Sequence, residues 1–369
     1  VGDAFWGTSR YKLFGRQGTL EGELFALAAG FASLVLALVY LSALPVRQGV
    51  LLSLLLAFAG LLVKLATPAD LGHFTVPVAL AGMAFLLSYT GAVSPFLVRL
   101  LWAMGLSGLV AGLGYAGRAL TRDGAAAAVG VGTFVAAFGG WGWALPLVAF
   151  FITGSALSRW KVRAKEQIRQ VKGKEGARDA GQVLANGLVA AVAAALTLFW
   201  PNHGGLLFLA YLGAVAEAAA DTWATELGIL SRRRPRLILS GVQCPPGTSG
   251  AVTPLGWWAA GAGSLLVSAV GALSALPVDG GTVWRVAIPA VAGLAGAFMD
   301  SLIGATAQAA YYCPACAVGA EGRRHGCGTA TLLRRGVPWI DNDLVNFIAT
   351  LTGALVAAGL AALSGLAGV

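Results

Sequence analysis

The sequence predicts an all-α, polytopic integral membrane protein, and three observations support this fold class. Hydrophobic residues make up 57% of the 369-residue chain and charged residues only 11%, whereas soluble proteins carry roughly 25% charged residues. The mean hydropathy is +0.77. Apolar runs of about 20 residues, the length that crosses a bilayer as a helix, recur along the chain. This composition excludes a soluble domain, a disordered chain and a disulfide scaffold.

The apolar runs predict about eleven membrane-spanning helices. A helix is expected in each run because a segment in lipid must satisfy its backbone hydrogen bonds internally. The runs lie near residues 24–44, 50–66, 73–92, 96–116, 124–140, 142–157, 181–200, 204–222, 254–276, 285–306 and 344–367.

The basic residues test this topology independently. Most of the 25 Lys and Arg residues fall in the segments 1–22, 117–123, 158–179, 231–253 and 311–341. An even number of predicted spans separates each segment from the next, so all of them emerge on one side, which the positive-inside rule makes cytoplasmic. We therefore expect a multi-pass protein of the cell membrane. Its net charge of +9 then reflects topology and not a nucleic-acid partner.

Polar side chains recur four residues apart at the cytoplasmic ends of four predicted spans. Each ionisable group inside a membrane costs about 2.5–3.5 kcal/mol, so such residues need a reason. The stripes are Arg178, Gln182 and Asn186; Glu217, Asp221 and Thr225, with Thr222 and Glu226 beside them; Asp300, Gly304 and Gln308; and Asn342, Asn346 and Thr350, with Asp341 and Asp343 beside them. Residues four apart share a helix face, so these stripes are expected to converge on one chamber that opens inward.

The residue types in the stripes favour Mg²⁺, which binds carboxylate and amide oxygens together with substrate phosphates. Five carboxylates support this prediction, namely Asp221, Glu226, Asp300, Asp341 and Asp343. Two other interpretations stay open for any single residue. It can act as a polar contact between packed helices, or it can reach water at a helix end.

The segment CPPGTSGAVT, residues 244–253, predicts a phosphate-binding turn before a span. Backbone N–H groups and hydroxyls of Gly247, Thr248, Ser249 and Gly250 are suited to a phosphate at a helix N-terminus. It is not a Walker A motif, because the final Gly-Lys-Ser/Thr is absent. A plain surface turn is the alternative. In the basic segment 158–179, Lys172 and Lys174 are the candidates for neutralising a triphosphate, while most of the other basic residues there are expected to set topology and contact anionic membrane lipids.

Cysteine and histidine cluster in the loop before the last span. Cys313 and Cys316 form a Cys-x-x-Cys pair, and His325 and Cys327 follow closely. Together they predict a closed Cys₃His structural zinc site. The alternative is a set of reduced, unliganded cysteines, as is usual in the cytosol. Cys244 stands apart from this group.

Two sets of motifs share a faint common order, which favours two related units in tandem. The first set is GDAFWG (2–7), FGRQGTLEGE (14–23) and DLGHFTVP (70–77), and the second is ADTWATELG (220–228), PPGTSGAVT (245–253) and IDNDLVN (340–346). Each set runs from an acidic-aromatic motif through a Thr/Gly turn to an Asp-containing motif that opens a helix.

Residues 119–369 resemble the integral-membrane family of the plant phytyl-phosphate kinase. The motifs that carry the resemblance are GQVLANG (181–187), ADTWATELG, PPGTSGAV, DSLIGATAQ (300–308), the CPAC…HGCG loop and DNDLVN. The resemblance implies a membrane domain of about seven helices, with a cytoplasmic Cys/His loop at 311–341.

Residues 1–90 resemble the C-terminal half of the CTP-dependent phytol and dolichol kinases through the first set of motifs. A partial unit of about four helices over residues 1–118 is therefore expected. It departs from that family at Gly18, where a Lys is usual, and at Lys64, where an acidic residue is usual. The chain also opens inside the nucleotide motif. For these reasons we expect no independent activity from residues 1–118.

The resemblance implies phosphoryl transfer from a nucleoside triphosphate, in the first instance CTP, to a prenyl or phytyl monophosphate. Asp221 and Asp300 would bind Mg²⁺, with Glu226 supporting them or acting as a base. Asp341, Asn342 and Asp343 would complete the metal or nucleotide shell, and Asn346 would orient it. The remaining assignments are phosphate binding by Gly247, Thr248, Ser249 and Gly250, nucleotide contacts by Gln182, Asn186 and Lys174, and charge neutralisation by Arg178 and Lys172.

Three other functions fit parts of the sequence. A cytidylyltransferase would use the same substrates but release pyrophosphate and form a CDP-lipid. A transporter would also have repeats and polar residues in its spans, although these normally lie near the bilayer midplane. A structural scaffold would leave the aligned carboxylates unexplained.

Overall fold

The computed structural model describes residues 10–13, 16–19, 93–160, 177–275, 278–320, 322, 324–325 and 327–365. Predicted spans 24–44, 50–66 and 73–92 lie outside these residues, as do Lys172 and Lys174. So do most of the motifs assigned to the first unit.

Eight helices occupy the described positions of the predicted spans. They are α1 (Val93–Ala116), α2 (Arg122–Gly139), α3 (Trp141–Arg159), α4 (Ala180–Leu196), α5 (Gly204–Gly228), α6 (Pro254–Ala275), α7 (Thr282–Thr306) and α8 (Asn342–Leu363), with a 3₁₀ turn at Pro201–His203. Of these, α3, α5, α6, α7 and α8 are long and apolar enough to cross a membrane. Of the eleven predicted spans, five are therefore supported by the described residues. α4 is also apolar, but it is shorter.

Short strands occur outside the helices, which the all-α prediction did not include. They are β1 (Arg10–Leu13), β2 (Arg16–Thr19), β3 (Arg236–Leu237), β4 (Ala251–Val252), β5 (Ala310–Cys313), β6 (Val318–Ala320) and β7 (Leu332–Arg335). β1 pairs with β2, β3 pairs with β4, and β5 lies between β6 and β7, all antiparallel. Backbone groups outside the helices need hydrogen-bond partners, and these ladders provide them.

The chain divides into two compact units. The first comprises Val1–Ala137 with Arg178–Ala180, and the second comprises Phe138–Ala177 with Gly181–Val369. In the first unit the chain before α4 pairs with the chain before α2, because Arg178 N–H donates to Ala119 O (3.0 Å) and Thr121 N–H donates to Arg178 O (3.0 Å). A side chain at Gly124 would overlap that carbonyl of Arg178, so glycine permits this close approach.

The second unit is a helix bundle with α5 at its centre, packed against α3, α6, α7 and α8. The middle of α5 is fully buried, including Leu209 and Leu212. Small residues let the helices approach closely, as is usual in membrane bundles. A side chain at Gly213 would overlap the carbonyl of Gly353 on α8, and one at Gly293 on α7 would overlap Ala216 on α5.

The ends of these helices meet at one end of the bundle. Ser158 at the end of α3 donates to Glu226 near the end of α5 (2.7 Å). Ser249, before α6, donates to the side chain of Gln308, and Val337 N–H donates to Ala307 O (2.9 Å) just after α7. We call this the polar end of the bundle, formed by the C-terminal ends of α3, α5 and α7 and the N-terminal ends of α6 and α8. The connections that lead from α5 to α6 and from α7 to α8 lie at this end. That this end faces the cytoplasm stays a prediction.

Candidate functional site

An acidic residue of α7 and an amide of α8 meet at the polar end. With its nitrogen facing the acceptors, the amide of Asn346 donates to Asp300 Oδ2 (3.1 Å) and to the backbone oxygen of Asn342 (3.3 Å). Asn346 is buried and Asp300 is half-buried. The amide thus fixes the Asp300 carboxylate in place. Two of the predicted stripes therefore converge.

Glu217 lies in the middle of α5, one helical turn before Asp221. Its side chain is only 1% exposed, and neither carboxylate oxygen has a hydrogen-bond partner in the described part of the chain. It interacts electrostatically with both Asp221 and Asp300. The sequence placed Glu217 on the Asp221 face, but it was not among the predicted site residues. Its complete burial is what distinguishes it.

Glu226 lies on another side of α5. Its carboxylate accepts a hydrogen bond from Ser158 of α3 (2.7 Å), and one turn earlier Trp223 Nε1 donates to Thr153 of α3 (3.4 Å). Glu217, by contrast, contacts the α7 and α8 side. The five-residue separation between Asp221 and Glu226 turns them well apart around the helix. Glu226 therefore faces α3.

The start of α8 carries a further group of predicted ligands. Asp341 is the N-cap of this helix, and its carboxylate accepts a hydrogen bond from the Leu344 N–H (3.0 Å). Capping satisfies a donor that the helix itself leaves open. Asn342 and Asp343 occupy the first turn and are half-buried. Asp341 therefore has a structural role, and metal binding by these three residues stays a prediction.

The predicted phosphate loop is folded against the end of α7. Gly247 and Gly250 have φ values of 87° and 76°, a backbone conformation that favours glycine. A side chain at Gly250 would also overlap the backbone of Ala305. The hydroxyl of Thr248 donates to Pro245 O (2.7 Å), and that of Ser249 donates to Gln308. Both predicted hydroxyls are thus engaged within the chain.

Arg335, which the sequence analysis did not single out, joins this loop to α7. Its guanidinium donates to the carbonyls of Gly304 (2.8 Å) and Ala305 (2.8 Å), and more distantly to the carbonyl of Ser249 (3.5 Å). A positive charge here satisfies the open carbonyls and favours the negative end of the helix dipole. In the sequence, Arg335 was only one of the basic residues of segment 311–341. Its role was not predictable because its partners are distant in sequence.

The α4 stripe differs from its prediction at Arg178. α4 begins at Ala180, and Arg178 instead forms a backbone bridge with Leu120, so it does not share a helix face with Gln182 and Asn186. The amide of Asn186 donates to the carbonyl of Gln182 (2.8 Å). Gln308 differs in the same way, because α7 ends at Thr306. Both stripes were extended past the ends of their helices.

The four predicted zinc ligands come together in the Cys/His loop. The ligand atoms of Cys313, Cys316, His325 and Cys327 all lie within 4.8 Å of one another. Cys313 Sγ and Cys327 Sγ are 3.6 Å apart, and His325 Nδ1 lies 3.2 Å from Cys327 Sγ. The hairpin of β5 and β6 forms the first half, where Ala317 adopts a φ of 55° in the turn that follows Cys316. The cluster can bind a metal ion.

The thiols of this cluster have different pKa values. Interaction with the Thr329 side chain, and then with His325, lowers the pKa of Cys327 to about 5. Interaction with Cys327 raises the pKa of Cys316 to about 11. Thiolates are the form that binds metal, so the lowered pKa of Cys327 favours metal binding.

The sequence is similar to those of other membrane proteins. A family described as Integral membrane protein DUF92 matches residues 105–354. An uncharacterized membrane protein of Methanocaldococcus jannaschii is 30% identical over 239 residues, which cover 65% of this chain and 84% of the relative. Protein PGR of Arabidopsis thaliana is 32% identical over 281 residues (69% and 93%), and the chloroplastic protein VTE6 of the same plant is 25% identical over 244 residues (64% of each chain). No solved structure matches the chain.

Proposed function

The chain belongs to the Integral membrane protein DUF92 family, and from this premise we propose that it is a membrane-bound kinase for prenyl phosphates. It transfers a phosphoryl group from a nucleoside triphosphate, in the first instance CTP, to a prenyl or phytyl monophosphate. The motif resemblance to the phytyl-phosphate kinase family covers residues 119–369, nearly the range of the family match. The observation that carries the proposal is the hydrogen bond from Asn346 to Asp300 near the polar end of a membrane bundle, where a glycine-rich loop packs against the end of α7.

The donor groups at this end fit Mg²⁺. Asp300 is held in place by Asn346, and Glu217 is a buried carboxylate without a hydrogen-bond partner in the described residues. Asp221 and Asp300 are the proposed ligands, and Asp341, Asn342 and Asp343 complete the shell from the start of α8. When bound, Mg²⁺ would neutralise charge on the phosphates, the main requirement of phosphoryl transfer. The chain itself positions the carboxylates.

The loop before α6 is the proposed phosphate cradle. Gly247 gives the backbone access to the phosphates, and the N-terminus of α6 directs its dipole toward them. Arg335 fixes the loop by joining Ser249 to the end of α7, which preorganises the cradle before the nucleotide arrives. Gln182, Asn186, Lys174, Lys172 and Arg178 remain proposed contacts to the nucleotide or the transferring group.

The acceptor needs little activation by the protein. A phosphate monoester is largely a dianion at neutral pH, since its second pKa is about 6, so its oxygen attacks without a strong general base. The proposal therefore does not need Glu226 as a base, and the Glu226 carboxylate is instead hydrogen-bonded to Ser158. The role of Glu226 in the proposal is therefore support of α5 against α3. The apolar tail of the acceptor would lie between the bundle and the lipid.

Zinc is the proposed occupant of the Cys₃His cluster. Three thiol groups and an imidazole are the ligand set of closed structural zinc sites. The cluster includes Cys313 of β5, and β5 pairs with β7, which ends at Arg335. Zinc would thus stabilise the small sheet that delivers Arg335 to the phosphate loop. The site would face the cytoplasm, because the polar end includes two of the basic segments.

The test is a transfer assay with the purified chain in detergent. The protein is incubated with Mg²⁺, γ-labelled CTP and phytyl or geranylgeranyl monophosphate. The proposal predicts label in a prenyl diphosphate. ATP and UTP in parallel reactions define the nucleotide preference.

Two other products would change the conclusion. Pyrophosphate together with a CDP-lipid would replace the kinase with a cytidylyltransferase. If all three nucleotides give no product with either lipid, while the protein is folded and monodisperse, the kinase proposal is wrong. Uptake of a labelled prenyl phosphate into proteoliposomes would then test transport.

A further inference from the structure

The two connections at the polar end present large apolar side chains to the outside of the bundle. Between α5 and α6, Leu239 and Val242 are each 60% exposed. Before α8, Leu332 of β7 is 60% exposed and Trp339 is 68% exposed. Single exposed apolar side chains are ordinary on protein surfaces, but a group of them in adjoining loops marks an interaction surface.

Hydrogen bonds join the two connections to each other. The Arg335 guanidinium, at the end of β7, donates to the carbonyl of Ser249 (3.5 Å). The next carbonyl, that of Gly250, accepts from the Ile238 N–H (3.1 Å), directly before Leu239. The exposed side chains of the two connections therefore belong to one continuous surface.

This surface lies at the level where the helices end. Trp339 is three residues before the start of α8 at Asn342, and α8 is long and apolar enough to cross a membrane. Because one extended residue spans at most about 3.5 Å, Trp339 is within about 10 Å of the first residue of the helix. In the other connection, Gly250 packs against the backbone of Ala305 in the last turn of α7. Helix ends at a membrane lie among the lipid headgroups, where Trp is enriched.

The same surface carries positive charge. Segment 231–253 contains four arginines and segment 330–340 contains two, and neither contains an Asp or a Glu. The guanidinium carbon of Arg334 lies 4.0 Å from the centre of the Tyr312 ring, and Arg334 is exposed, with no ion pair to the residues that the structure describes. A guanidinium held on an aromatic ring keeps its N–H groups available for the oxygens of a phosphate.

We propose that these residues form an interfacial surface (Leu239, Val242, Leu332, Arg334 and Trp339) that binds anionic phospholipid. The apolar side chains enter the boundary between headgroups and acyl chains, and Arg334 binds a lipid phosphate. Apolar and basic side chains side by side are what such a boundary recognises. Lipid is favoured over a protein partner, because phospholipid already surrounds a membrane-spanning bundle at this level. The inference does not depend on the proposed kinase activity.

The first experiment measures phospholipid binding to the full purified chain in detergent by native mass spectrometry. Phosphatidylglycerol and phosphatidylcholine with identical acyl chains are titrated separately. Wild type is expected to bind phosphatidylglycerol more tightly. Arg334→Gln is expected to weaken phosphatidylglycerol binding about fivefold, the contribution of one basic side chain near an anionic membrane surface, and to leave phosphatidylcholine binding unchanged.

Arg122→Gln is the matched control. It removes the same charge from an exposed arginine that also contacts a tyrosine, since Arg122 Nε donates to the Tyr115 hydroxyl (3.0 Å), but this pair belongs to the first unit. It is expected to keep the wild-type preference for phosphatidylglycerol. If Arg334→Gln does not fold, Arg334→Met replaces it, because methionine keeps an apolar stem over the Tyr312 ring without the charge.

A second experiment locates Trp339 relative to the lipid. The chain is labelled with 5-fluorotryptophan and placed in nanodiscs that contain phosphatidylglycerol, and Trp339→Phe identifies the ¹⁹F resonance of Trp339. A nitroxide on the lipid headgroup is expected to broaden this resonance more than a water-soluble nitroxide does. This measurement needs no substitution at Arg334.

Three results would overturn the proposal. Equal affinity of wild type for the two lipids would remove the anionic preference. Equal losses in Arg334→Gln and Arg122→Gln would mean that net charge, and not this surface, determines binding. A Trp339 resonance broadened only by the water-soluble nitroxide would place the surface in water, where a protein partner and not lipid would cover it.

Discussion

Two buried ionisable side chains of the same bundle have different surroundings. Arg285, near the start of α7, is 4% exposed, and its guanidinium donates to Asp279 Oδ1 (3.0 Å). Glu217, in the middle of α5, is 1% exposed and has no hydrogen-bond partner in the described residues. The arginine is paired within the chain, and the glutamate is not.

The partners of these two side chains indicate that Arg285 has a structural role, whereas Glu217 has no such role in the pairing of charges. Burying an ion is costly unless a counter-ion and hydrogen bonds offset the loss of water. Asp279 supplies both to Arg285 and also accepts from the Gly281 N–H (2.8 Å), so this end of α7 needs nothing from outside. Glu217 has no such partner in the described residues, and nearer the polar end the Asp300 carboxylate accepts a hydrogen bond from the Asn346 amide. We call the Arg285 end the closed end, because its buried charge is paired there.

The sharpest way to break this comparison is to neutralise one carboxylate at each end of α7. Asp300→Asn is expected to lower kcat about 10²–10³-fold, the size of effect seen when a group that stabilises transition-state charge is removed. Asp279→Asn makes the same chemical change at the closed end and should leave kcat within about twofold. The measurement is the γ-labelled nucleotide assay with saturating acceptor. Equal losses in both variants would mean that the two ends do not differ in function.

The next effect concerns the metal content of the Cys/His cluster. We expect about one zinc per chain by mass spectrometry of the purified protein, and Cys316→Ser to lose most of it. Cys244→Ser is the matched control, since Cys244 lies outside the cluster and its thiol faces Pro235 O (3.7 Å). If wild-type protein purified without chelator contains no zinc, or contains another metal instead, the assignment of the cluster as a zinc site is wrong.

The positions of the helices were predictable from sequence, whereas their ends were less so. Apolar runs of about 20 residues have few alternatives in a membrane, and helices occur at each described position. The predicted helical stripes wrongly included Arg178 and Gln308, because a four-residue spacing of polar side chains continues past a helix end without any signal. Outside the helices, these residues have partners distant in sequence. Arg178 forms a backbone bridge with Leu120, and the Gln308 side chain accepts a hydrogen bond from Ser249.

The residues of the candidate site were also only partly predictable from the sequence. The spacing of cysteines and histidine predicted a cluster that the structure confirms, because all four ligands lie within one short loop. The importance of Glu217 was not predictable in this way. Its depth depends on Gly296 and Gly353, two glycines on other helices, and composition alone does not show which glycines face it.

The close packing that holds Glu217 in place can be tested with two glycines of α8. Gly353→Ala is expected to destabilise the bundle by about 1–3 kcal/mol, because the added methyl meets the Gly213 backbone of α5. Gly359→Ala places its methyl in open space six residues later, and should stabilise the helix by about 0.5–1 kcal/mol. Thermal unfolding in detergent gives both values. If the two variants shift Tm in the same direction, helix propensity and not packing determines the result.

The smallest expected effect is the pH dependence of the closed end. The Gly281 N–H, and then Arg285, lower the pKa of Asp279. Because the folded pKa lies below the unfolded value, the stabilisation is present above about pH 4 and is lost as pH falls through the folded pKa. Asp279→Asn keeps a hydrogen-bond acceptor but removes the counter-ion of the buried Arg285, so we expect Tm to fall by about 2–4 °C at neutral pH. Tm measured from pH 7 to pH 3 should show the difference from wild type shrinking at the acidic end. A variant with the Tm of wild type at every pH would mean that Asp279 acts as a hydrogen-bond acceptor alone.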